Sequence, residues 1–257
     1  MSPQHQRHVL HAMFRLCPVA FRRAWLTRQA LDSGMSSRAL VFPSGSVEHL
    51  PATDLATHQE LADLARLEGA GVRLGLVALP GAIEEAFYRL NNLPWRLASL
   101  YQGLDPLDPD EDIVEEAESA AARLLSESYL LDDLIDGIYA SLTGLPEPLV
   151  VRRAGTAGVE ANGARAALLA VKRCFRDDWS ASAVLDRLAV TTRLGVEARP
   201  VLVHGVPVGA ARGADAADIA AEVSAVLDRR VKVMVDERGA IVRVTEADLA
   251  PPRAATS

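Results

Sequence analysis

Two adjacent arginines, Arg152 and Arg153, close a short apolar strand (Leu149-Val150-Val151) and open a loop of small residues, Ala154-Gly155-Thr156-Ala157-Gly158. An amphipathic helix follows from about Ala164. Strand, glycine-bearing loop and helix form an arrangement in which backbone N–H groups and a helix N-terminus meet an anion. Guanidiniums at the mouth of such a loop suit phosphate or carboxylate, because their planar fork matches two oxygens at once. Arg152, Arg153 and Thr156 are therefore the candidate cofactor-binding residues, and no catalytic residue is singled out. The competing reading is structural, with both arginines paired to the acidic stretch that precedes them.

Other residues with chemical potential are scattered. Glu48, His49 and Asp54 follow a strand that starts at Arg38, and all three types are sound ligands for a divalent metal. This segment resembles the creatininase-type metal amidohydrolases, whose G-S-x-E-Q-H-G-P-H-L-P-x-x-T-D run it matches at Gly45, Ser46, Glu48, His49, Leu50, Pro51, Thr53 and Asp54 with four residues removed. Only His58 and His204 follow, so a two-metal set cannot be assembled and no metal site is expected. Asp132-Asp133-Leu-Ile-Asp136 spells the D-D-x-x-D by which prenyl diphosphate and terpene synthases hold Mg²⁺, and helical spacing puts Asp132 and Asp136 on one face. It lies among twelve carboxylates between Asp105 and Asp136 that face a single Arg123, as a solvated helix face would. Cys174 falls in an apolar stripe and is assigned to the core, as is Trp179.

The elements that would position these groups follow from periodicity. A basic helix from about His8 to Leu31 carries five arginines before the first acid, with Pro18 kinking it. Residues 55–90 give a helix, a glycine turn, a strand, Pro80-Gly81 and another helix. A Pro-Asp loop caps a helix from about Ile113, and a second helix runs from Ser128 to Leu142. Beyond Arg199 a strand, a helix from Asp215 to Asp228 and a hairpin around Asp236-Glu237-Arg238-Gly239 make a small β-α-β-β unit. The expected division is 1–37 basic arm, 38–198 main domain, 199–250 small lobe and 251–257 disordered tail, in a mixed α/β (α+β) class.

The totals bound the function. With 257 residues of which 49% are apolar, the chain can bury a substantial core, and 5% aromatics makes that core aliphatic. A net charge of −7 argues against nucleic acid as a partner. Two cysteines give no disulfide framework, no apolar run reaches membrane-spanning length, and a cytoplasmic setting is expected.

From Leu149 onward the sequence resembles the ATP-binding half of phosphoenolpyruvate synthase and pyruvate phosphate dikinase. That family carries V-R-S-S-x-T-A, a β-hairpin, and then A-L-L-x-A-V-K-R-C-W. Arg152, Thr156 and Ala157 fit the loop, while Ala166 to Val184 fits the helix through Val171-Lys172-Arg173-Cys174 and the later Trp179-Ser180. Arg153 and Ala154 replace the two serines, and the hairpin is cut to Val159-Glu160-Ala161-Asn162. Upstream, Leu61, Leu64, Gly71, Val72, Pro80, Gly81 and Phe87 keep the family's order, but Thr57-His58-Gln59 stands where the family has Gly-Gly-Lys. The resemblance spans about residues 56–190. It implies an ATP-grasp-like lobe that binds ATP with Mg for kinase-like phosphoryl transfer, with a nucleotide or phosphorylated small molecule as ligand. The absent lysine, the altered loop and the short remainder after Pro200 imply a catalytically degenerate transferase, a pseudoenzyme. The alternatives are a creatininase-like amidohydrolase with an incomplete site, and a non-enzymatic adaptor or regulatory protein with a protein partner.

Overall fold

Strand β2 (Leu149–Arg152) is an uninterrupted apolar run ending in arginine, and it lies inside a sheet covered on both faces. Strands β1 (Leu76–Leu79), β3 (Val159–Ala161) and β4 (Val201–Gly205) complete that sheet in the order β1-β4-β2-β3, with every pairing antiparallel. The computed structural model describes residues 45–206, 209–210 and 214–247. The basic helical arm and the tail from Pro251 lie outside them. The class is α+β.

Absence of alternation in LVAL, LVVR and VLVHG is the sequence signature of strands buried on both faces. Side chains nevertheless divide by the two-residue period. Val77, Leu79, Leu149, Val151, Val201 and Val203 enter one core, formed with helices α3 (Gly81–Leu90), α4 (Leu93–Leu100), α5 (Glu111–Glu127), α6 (Asp132–Leu142), α7 (Ala164–Asp177) and α8 (Ala181–Thr191). Leu76, Ala78 and Leu202 enter a second core. There they meet helix α2 (Gln59–Gly69, preceded by the short α1, Ala52–Leu55), helix α9 (Ala214–Leu227) and a second antiparallel sheet, β5-β6-β7 (Gly209–Ala210, Val231–Val235, Ile241–Glu246).

Helix α7 shows how sequence selects these layers. Ala167, Leu168, Val171 and Phe175 recur at three- and four-residue spacing and are buried, while Arg165, Arg173 and Arg176 stay out of the core. Fully burying Val171 and Phe175 contributes about 1.5–3 kcal/mol each. Lys172 on its flank donates from Nζ to the carbonyls of Ser126 and Ser128, both at 2.8 Å, and so satisfies the C-terminal end of α5. At the opposite end of α5, Asp110 Oδ1 accepts from Asp112 N at 3.0 Å, the cap expected of the Pro-Asp loop.

Two features differ from the sequence expectation. Three of the four residues left between loop and α7 still pair with β2, from Leu149 opposite Ala161 to Val151 opposite Val159, so a short hairpin persists. The composition change at Arg199 suggested a boundary there, yet β4 lies between β1 and β2 and belongs to the first sheet. Only the part from β5 onward forms the second sheet. The two sheets are stitched where Gly75 N donates to Ile241 O at 2.9 Å and Ile241 N donates to Arg73 O at 3.1 Å. A Cβ on Gly75 would stand 2.6 Å from Asp236 Oδ2, so any side chain at this crossing would have to displace the carboxylate that holds the hairpin turn.

Helix α3 starts at Pro80-Gly81 without a side-chain cap of its own. Buried Asp54 supplies it from α1, accepting from Gly81 N at 2.9 Å. Asp54→Ala leaves that N–H unsatisfied and is expected to cost about 1–3 kcal/mol, with Asp54→Asn milder. Urea midpoints at unchanged m-value measure the difference.

Candidate functional site

Arg152 is fully buried, and its guanidinium is saturated. Nη2 and Nη1 donate to the two oxygens of Glu60 at 2.7 and 2.9 Å, a bidentate pair. Nη2 also reaches Val242 O at 3.0 Å, and Nε donates to His204 Nε2 at 3.0 Å. Glu60 lies in the first turn of α2 and is itself buried; its Oε2 accepts from Gly155 N at 2.7 Å as well. The carboxylate thus holds both an arginine fork and a loop N–H, the two kinds of donor that a glycine-bearing loop offers an anion. Burial pushes the Glu60 carboxyl up, but the hydrogen bonds and charge of Arg152, with Gly155 N–H, outweigh it and leave it below its ordinary value. Since Nε2 of His204 accepts from Arg152, Nδ1 carries the proton and donates to Gly205 O at 2.6 Å. Burial holds that imidazole down to about 4, so it is neutral.

Arg153 turns to the other side of the sheet. It meets Glu84 Oε1 at 2.8 Å and Asp178 Oδ2 at 2.7 Å, and its guanidinium lies 5.4 Å from the Phe175 ring centre. Arg199 also pairs with Asp178, and its backbone N donates to Glu84 Oε2 at 2.9 Å. The expectation that both arginines serve one ligand therefore does not match their placement: the pleat sends consecutive residues to opposite faces. The structural alternative is corrected too, because the partners are Glu60, Glu84 and Asp178, not the acids of 105–136. Thr156 is exposed, with Oγ1 donating to Arg153 O at 3.0 Å to close the turn.

The other candidates are dispersed. Glu48 and His49 are exposed, whereas Asp54 is buried as the cap of α3. Asp132, Asp133 and Asp136 lie on the exposed side of α6. Among the described residues no group of three or more His, Cys, Asp or Glu could hold a metal ion. His58, in the Thr57-His58-Gln59 run that stands where the family resemblance has Gly-Gly-Lys, caps α2 by accepting from Glu60 N at 3.1 Å. Its Nε2 lies 2.4 Å from where a Cβ on Gly155 would stand, and Gly155 has φ +78°, so that residue must be glycine on both counts. Cys174 is partly buried, and burial raises its thiol to about 11, which makes it no nucleophile at neutral pH. Trp179 packs on Tyr101 and donates to Tyr88 Oη at 2.8 Å.

An open space remains between the two sheets, a cleft of about 180 Å³ lined by Val150, Arg152, Ala157, Gly158, Glu160, His204, Met234 and Arg243. Small-molecule pockets generally run to roughly 300 Å³ and above. ATP with Mg, the cofactor implied by the family resemblance, does not fit these residues: the cleft is small, and Arg152 and Gly155 N–H already hold a carboxylate. No helix among the described residues is long and apolar enough to cross a membrane.

Sequence reasoning missed Glu60, His204 and Arg243. Glu60 had a signal, because it shares a helix face with Leu64 and Leu67, and a charge on an apolar stripe calls for a buried partner. His204 had the same signal in the apolar run Val201-Leu202-Val203. Arg243 had none, since its neighbourhood depends on how the second sheet meets the first. Compared with known proteins, the chain matches no family model and no curated protein.

Glu60→Ala strands a buried guanidinium and is expected to cost about 3–5 kcal/mol. Glu60→Leu combined with Arg152→Met should recover most of that in the same denaturation experiment, because the apolar pair strands no charge. His204 gives a pH signature. The unfolded chain takes up this proton at about 6.5 and the folded one at about 4. Stability is therefore complete above pH 6.5 and declines as pH falls towards 4, by on the order of 3 kcal/mol. His204→Gln should flatten the slope in that window.

Proposed function

We propose that this chain is a non-enzymatic regulatory or adaptor domain, a catalytically inactive relative of the phosphoenolpyruvate-synthase type of ATP-binding lobe. The carrying observation is that Glu60 occupies Arg152 and Gly155 N–H. The loop's anion is supplied from within. Magnitudes favour that state over a bound nucleotide. Taking Arg152 from Glu60 leaves a buried carboxylate unpaired, which costs about 3–5 kcal/mol. A charge-assisted contact to phosphate returns about 1.5–3 kcal/mol. Phosphoryl transfer also needs a phosphate-clamping cation and Mg²⁺, and the position where the resemblance would place a lysine is Gln59, whose amide donates to Asp63.

Titration of the full chain with Mg-ATP, followed by calorimetry and by ATP turnover, tests this reading. Flat traces to millimolar nucleotide and no turnover are expected. A sub-millimolar Kd that Arg152→Lys abolishes, or measurable ATP consumption, would overturn it.

A further inference from the structure

The cleft between the sheets has its own cation. Arg243 on β7 is opposite Met234 of β6 in register, and the two side chains form one wall. The facing wall is a row across the first sheet, since Val150 is opposite both Glu160 and His204. Arg243 is half-buried, and its Nε is buried without a hydrogen-bond partner. Among the described residues its only hydrogen bond is a long one from Nη2 to Gly155 O at 3.4 Å. Among the described residues no carboxylate lies within ion-pair distance of it, unlike Arg152, Arg153, Arg199 and Arg229. Glu60 feels the charges of both Arg152 and Arg243 but contacts only Arg152. Glu160 also lines the cleft, so the two guanidiniums are matched in number by two carboxylates, but neither carboxylate is in ion-pair contact with Arg243. His204 is no acceptor for it, because both ring nitrogens are engaged.

We propose that this cleft binds a short aliphatic carboxylate, with the Arg243 fork holding the carboxylate and Val150, Ala157 and Met234 surrounding the alkyl chain. The two Nη groups of the guanidinium offer a carboxylate the planar, bidentate arrangement that the group prefers, and a small turn of the half-buried side chain towards the ligand opens the Nε–H as well. About 180 Å³ suits an acid of a few carbons and excludes a nucleotide. Glu160, exposed on the edge strand, stands at the rim and favours a single negative charge over a double one. The ligand needs no release of Arg152, so this inference stands apart from the reading of the closed loop.

Side-chain Nε–H and backbone amide NMR spectra of the full chain, titrated with butyrate, acetate and inorganic phosphate, test it. Butyrate is expected to shift the Arg243 Nε–H signal and the amides of residues 157–160 with a millimolar Kd. Acetate should bind roughly tenfold more weakly, because two methylenes are lost from the apolar walls. Arg243→Gln should abolish the shifts, and Arg243→Lys, which keeps the charge but loses the fork, should weaken binding several-fold with the remaining amide spectrum unchanged. Glu160→Gln should tighten it. No butyrate shift at tens of millimolar, or shifts that persist in Arg243→Gln, would overturn the site. Phosphate binding as tightly as butyrate would overturn the aliphatic class. Nucleotide is absent throughout, so failure here leaves the closed-loop reading untouched.

Discussion

The Arg152–Glu60 pair ties together four segments that are distant in sequence. Arg152 ends β2 with Gly155 in the loop that follows, Glu60 begins α2, His204 belongs to β4, and Val242 offers its carbonyl from β7. A buried ion pair is weak evidence for net stability, because desolvating both charges offsets much of their attraction. Its effect is on uniqueness. A guanidinium with its donors satisfied by groups from three other elements admits one arrangement of those elements, whereas the aliphatic core around it would tolerate several. The neutral state of His204 belongs to the same constraint. A protonated imidazole would lose the acceptor that Arg152 Nε needs and place a second cation beside it.

The pleat then dictates the rest of the electrostatics. Once Arg152 faces the second sheet, Arg153 must face the helices, and that side needs its own anions. Glu84 in the first turn of α3 and Asp178 at the end of α7 provide them, with Arg199 balancing the second carboxylate. Burial pushes the Glu84 carboxyl up while Arg153 pulls against it. Each face of the first sheet therefore carries a locally balanced cluster at its centre, and neither cluster draws on the acidic middle of the chain, whose carboxylates remain largely in water.

Secondary structure was legible in the sequence wherever period and punctuation agreed. The Pro80-Gly81 helix start, the Asp110 cap, the apolar stripe of α7 and the Asp236–Gly239 hairpin all follow from local chemistry, and the hairpin turn is held by Asp236 Oδ1 accepting from Arg238 N and Ala240 N, each at 2.9 Å. Sheet membership was not legible. Val201–Gly205 is as apolar as any strand here, and nothing local distinguishes a strand that starts a new lobe from one that inserts between β1 and β2. The arginines show the same limit. Their types announced an anion, and the anion is there, but composition could not distinguish an external phosphate from Glu60 more than ninety residues earlier.

Strand β7 closes one anion site and creates another. Val242 is fully buried and offers Arg152 a carbonyl, which completes a cage in which Glu60 is the only anion required. The next residue, Arg243, lies on the opposite side of the strand by the same two-residue period and joins the wall of the cleft. The carbonyl that helps to saturate Arg152 and the cation left without a carboxylate are consecutive residues, so one placement of β7 produces both. An ion pair that cannot be opened at a reasonable cost makes the loop a structural joint, and a guanidinium with a buried unpartnered donor makes the adjoining cleft the place where a ligand can still lower the free energy. The chemistry suggested by the paired arginines is thus displaced from the loop to the seam between the two sheets.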